Sequence, residues 1–158
     1  MIMIKKQESG FIFLEIIIAV ALMGIVLMTL LQVAFLALNI SINIQQTLRA
    51  SNLMKEELEA LRSYRDGNTW SNFTTVSYGG SNNYYFSLSS GSWVRNSGTE
   101  AVSIFSRKVV FDQVYRDGSG NIASSGTLDN DTIKATVTVS WLGKSIQTIV
   151  YLTNWQNK

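Results

Sequence analysis

Lys5-Lys6-Gln7-Glu8-Ser9-Gly10-Phe11-Ile12-Phe13-Leu14-Glu15 leads into Ile16–Leu38, a run broken only by Gly24, Thr29 and Gln32. A helix from Phe11 to Leu38 would be about 42 Å long at ~1.5 Å per residue. That exceeds the roughly 30 Å of a bilayer's hydrocarbon core, so the segment is long enough to span it. Lys5 and Lys6 sit on its N-terminal flank, which places that end in the cytoplasm and the rest of the chain outside. A secretory signal peptide has a shorter apolar region followed by a small-residue cleavage site. Here the apolar run is longer, Ala34 and Ala37 are followed by no such site, and the small residue, Gly10, precedes the run.

Glu15 stands out. An acidic residue inside an apolar span costs up to about 3 kcal/mol at a helix centre and less near the end, and such residues are usually paired and functional. The alternative is a carboxylate that merely reaches the headgroup region.

Gly10-Phe11-Ile12-Phe13-Leu14-Glu15 behind two lysines resembles the class III signal peptide of type IV pilins and type II secretion pseudopilins. It departs from the common pattern at Ile12 and Phe13. The resemblance implies that a membrane prepilin peptidase cuts between Gly10 and Phe11 and N-methylates Phe11. Glu15 would then be the fifth mature residue, where the family keeps a glutamate. In a filament core a buried carboxylate needs a cation, and the new amine on Phe11 of a neighbouring subunit supplies one. The implied partners are the peptidase, other pilin subunits, an inner-membrane assembly platform and membrane lipid.

Composition bounds the alternatives. The chain has 158 residues, room for an anchor and one domain. A net charge of +2 gives no reason to expect nucleic acid as a partner. Without Cys there is no disulfide or thiol chemistry, and without His the commonest general base and metal ligand is missing. Glu100, Asp112, Asp117, Asp129 and Asp131 show no spacing that pairs them. No catalytic residue, metal site or cofactor is expected, and the function indicated is structural rather than enzymatic. Two variants of that function stay open: a pseudopilin of a secretion or DNA-uptake machine, and a filament-tip subunit that binds a ligand.

The chain also lacks Pro, so the apolar helix should run on without a kink, softened only at Gly24. Ile40, Ile44, Leu48, Met54, Leu58 and Leu61 fall on one helical stripe expected to pack on the protein's own sheet. Arg49, Glu56 and Glu57 should face elsewhere, with Lys55 and Glu59 as an i,i+4 pair. Gly67 should close the helix in the left-handed conformation.

Beyond it the sequence turns polar and aromatic. Asn83–Leu88 and Trp93–Arg95 read as short strands, and Ala101–Tyr115 as a longer strand or strand pair with a bulge. The aromatics between Thr69 and Gly98 read as a small core. The competing reading is an adhesive surface through Trp70, Tyr84, Tyr85 or Trp93. Arg116-Asp117-Gly118-Ser119-Gly120-Asn121 is a tight turn without the spacing of a calcium loop, even with Asp129 and Asp131 nearby. Ile133–Trp141 alternates without a fault and should bury Ile133, Ala135, Val137, Val139 and Trp141. A turn at Leu142-Gly143 returns the chain as Ile146–Trp155.

The expected organisation is therefore leader 1–10, membrane and filament-core helix 11–38, its extramembrane continuation 39–65, and an antiparallel β domain 66–158. Periodicity gives an α+β chain; that the sheet packs on the back half of the helix is what the pilin resemblance implies.

Overall fold

The computed structural model describes residues 8–155, with side chains from Phe11 onward. Helix α1 spans Glu8–Gly67 and α2 spans Trp70–Phe73. The strands are β1 Asn83–Ser89, β2 Ser92–Ser97, β3 Glu100–Val102, β4 Phe105–Arg116, β5 Ile122–Ala123, β6 Thr127–Trp141 and β7 Lys144–Thr153. The chain divides into two compact units, Met1–Gln46 and Thr47–Lys158.

The described part of the first unit is helix throughout, and α1 continues from it without a break for 60 residues in all. It stays helical through Gly24, in keeping with the absence of proline.

The second unit is a helix segment packed on an antiparallel sheet. Strand order is β2-β1-β4-β6-β7, with β3 and β5 pairing opposite ends of β4. The β6–β7 hairpin forms as its alternation requires: Ile133, Ala135, Val137, Val139 and Trp141 are all buried. Its turn holds Leu142 at φ +44° and Gly143 at φ +76°, between the paired Trp141 and Lys144. Positive φ at both central residues is the turn type whose twist matches a hairpin. The expected irregularity in the long strand is a register shift at Gln113/Val114, which turns Val114 inward in place of Gln113.

The helical face on the sheet differs from the expected stripe. Of that stripe, Met54 and Leu61 are buried and Leu58 packs on the core, but Ile40, Ile44 and Leu48 are exposed; the buried row is Ala50, Met54, Glu57, Leu61 and Arg65, with Ala60 beside it. Burial begins at Ala50, where a small side chain lets the helix settle against the sheet. The row then follows helical spacing through two charged positions. Glu57, expected to face water, is fully buried. Glu59 pairs with Arg62 at 3.2 Å rather than with Lys55. Gly67 stays out of the left-handed region. The helix end is closed instead by the Asn68 side-chain amide, which donates to the Tyr64 carbonyl at 2.8 Å. The short α2 was not legible, because four residues carry no periodicity; Thr69 caps it by accepting from the Asn72 amide at 3.4 Å.

One irregularity positions the charged groups described below. Strand β1 meets β4 only at Asn83↔Val110 and Tyr84↔Val109, because β3 takes the edge of β4 at Phe105–Arg107. Beyond Tyr84, β1 lacks that neighbour, and side chains must satisfy its backbone.

Candidate functional site

Gly10 lies in the helical backbone of α1, while Lys5, Lys6 and the rest of 1–7 lie outside the described residues. Phe11 is 76 % exposed, and Glu15 is exposed one helical turn further along the same face. Every residue from Phe11 to Gln45 is exposed, including all the large apolar side chains of the span. By length and composition this helix can cross a membrane. Thr29 satisfies its hydroxyl internally, donating to the Val26 carbonyl at 2.8 Å. No ion pair reaches Glu15 among the described residues. The carboxylate and the apolar surface around it therefore take any partner from outside this part of the chain.

A second charged site lies under the sheet, where β1 leaves β4. The Phe86 amide donates to Glu57 Oε1 at 2.9 Å, and the Phe86 carbonyl accepts from Arg107 Nη2 at 3.5 Å. Arg107 Nε lies 3.2 Å from Glu57 Oε2 and also binds Glu100, and its Nη1 lies 2.9 Å from Glu56. One guanidinium thus serves three carboxylates. Burial pushes the Glu57 carboxyl up to about 7, outweighing the opposing pull of Arg107 and of the Phe86 hydrogen bond. Burial pulls Arg107 down, but the hydrogen bonds to Glu100 and Glu56 carry it above its usual value. The cluster stitches helix, β1, β3 and β4 together.

Neither Glu57 nor Arg107 is expected at such a site from sequence. The signals were present: Glu57 falls three residues after Met54 and four before Leu61, and Arg107 takes an inward place between Phe105 and Val109.

The aromatics mainly build the core. Phe73 and Phe86 are fully buried, and Trp70, Tyr84 and Trp93 pack against the core they belong to. The Tyr84 ring lies 5.6 Å from that of Phe111, and its hydroxyl accepts from the Ser77 amide at 2.8 Å. The turn after β4 is closed by Asp117, whose Oδ1 accepts from the amides of Ser119 and Asn121, each at 2.9 Å. The bonds from Asn121, backbone first, hold its carboxyl below the usual range. Asp129 is engaged by Arg116 Nε at 2.6 Å. No group of three or more acidic side chains suited to a metal occurs among the described residues.

Comparison of the chain with family models, with curated proteins and with solved structures finds no match. The structure has the helix-then-antiparallel-sheet layout of a pilin-like chain.

Proposed function

We propose that this protein is a structural subunit of a type IV pilus or a related filament. A prepilin peptidase would remove the leader between Gly10 and Phe11 and methylate the new N-terminus. Before assembly the subunit would sit in the inner membrane as a single pass, its N-terminus cytoplasmic. An assembly platform there would then draw it into the filament among other pilin subunits.

The observation that carries this reading is the exposed apolar helix with an acid, Glu15, that has no ion-pair partner among the described residues. A membrane anchor alone needs the apolar surface but has no use for Glu15, which only adds to the cost of insertion. A filament core uses both. Helices laid side by side bury the apolar surface, and Glu15 meets the amine that processing creates on a neighbour's Phe11. Breaking such a buried pair costs about 3–5 kcal/mol, enough to fix the axial register of one subunit against the next.

The test is Glu15→Ala expressed beside the wild-type chain in the native host. The variant should reach the membrane fraction in normal amount and be depleted from sheared filaments by about a hundredfold or more, the equivalent of ~3 kcal/mol. Equal incorporation of the two chains would overturn the pairing role.

A further inference from the structure

Beside α2 the second unit holds a cleft of about 410 Å³, within the range of small-molecule sites. Trp70 and Tyr78 give it two aromatic surfaces, and Gln113, Asn130 and Asn154 give it three amide-bearing side chains. Asp129 also lines it. Its carboxylate is already bound by Arg116 Nε at 2.6 Å and by the Asp131 amide at 2.9 Å, which fixes its direction and offsets its charge. Among the described residues, no lysine or arginine lines the cleft.

We propose that this cleft binds a neutral sugar ring. Such a ring has an apolar C–H face that lies on an aromatic surface and a rim of hydroxyls that both donate and accept. The cleft offers that combination. The described lining carries no cation, and Arg116, which bonds to Asp129 and Thr132 of that lining, is already paired with the Asp129 carboxylate; this disfavours phosphate, nucleic acid or acidic polymers, which need a free one.

The aromatic wall is built in advance. Trp70 Nε1 donates to the Asn130 carbonyl at 2.8 Å, and the Arg65 guanidinium lies 5.2 Å from its ring. Arg65 is itself held by two hydrogen bonds to the Thr153 carbonyl, at 3.2 and 2.7 Å. A side chain locked this way loses little entropy when a ligand arrives. Also in the lining, Asn154 Nδ2 donates to Asp131 Oδ1 at 3.0 Å, while Asn154 Oδ1 is buried with no donor among the described residues. A sugar hydroxyl can supply one. Of the four aromatics read from sequence as an adhesive surface, only Trp70 lines this cleft; Tyr78 joins it instead.

The experiment uses the full chain in a detergent with no sugar headgroup, such as an amine oxide. A glycan array selects a neutral saccharide, and calorimetric titration measures its affinity. Trp70 also packs on the core, so its replacement could disturb folding. The decisive variants are therefore the exposed Tyr78→Ala and Asn130→Ala, with Trp93→Phe as a control away from the cleft. Each of the first two should weaken binding by about tenfold or more, and the control should bind as wild type does. The proposal is overturned if no neutral saccharide binds saturably up to roughly 10 mM, a free energy weaker than about 3 kcal/mol. It is equally overturned if only anionic glycans bind, or if binding follows Trp93 rather than Tyr78 and Asn130. Sugar binding stands or falls independently of processing at Gly10.

Discussion

Glu57 has no exposed surface, yet it shares one guanidinium with Glu56 and Glu100, so a proton on it relieves both burial and crowding of like charge. Its carboxyl is raised from the usual 4.5 to about 7. Between those values the folded state holds a proton that the unfolded chain has released. Stability from this group is therefore full below about pH 4.5 and is lost as pH rises through about 7. At ~1.36 kcal/mol per unit, the change is on the order of 3 kcal/mol. Urea unfolding of the sheet unit, followed by tryptophan fluorescence, should show wild type losing stability across that interval. Glu57→Gln keeps an acceptor for the Phe86 amide and should flatten the profile; an equal slope in both proteins would refute the assignment. At Gly126, φ is +142° and an added Cβ would run into the Arg116 carbonyl. Backbone on both sides cannot step aside, so Gly126→Ala should cost about 1–3 kcal/mol in the same assay. Residues of this kind were the hardest to read in sequence. Glu57 sits in Lys55-Glu56-Glu57-Leu58-Glu59, where charge composition suggests water and only the spacing to Met54 and Leu61 points inward.

Elements with a long, strict period were legible: the unbroken α1, and β6 with all five inward residues. Each has enough repeats to fix which face is buried. Elements defined by a few residues, such as α2, or by what a neighbouring strand leaves open, such as the break between β1 and β4, leave no periodic trace. The β6–β7 turn is suboptimal for its geometry. Leu142 is 68 % exposed at φ +44°, a conformation that asparagine adopts more readily than leucine. Leu142→Asn should stabilise the hairpin by about 0.5–1 kcal/mol and slow hydrogen exchange at its amides. Faster exchange would mean that the leucine makes contacts worth more than the strain. The helix boundary also rests on chemistry that spacing does not reveal: Asn68, rather than Gly67, closes α1 by bonding back to Tyr64.

At the scale of the whole molecule, a helical unit with nothing buried among its described residues stands in one chain with a unit that has a core of its own. The second is self-sufficient in its packing. The first has a surface that water will not accept, and a bilayer or a bundle of like helices would satisfy it. What separates those two outcomes is Glu15 and the chemistry proposed one turn before it. The most direct measurement is the intact mass and N-terminal sequence of the protein recovered from its native membrane. The account predicts a chain that begins at N-methylated Phe11, lighter than the 17.6 kDa precursor by residues 1–10. A protein that still begins at Met1 with Lys5 and Lys6 attached would contradict it, because Glu15 would then have no amine to meet.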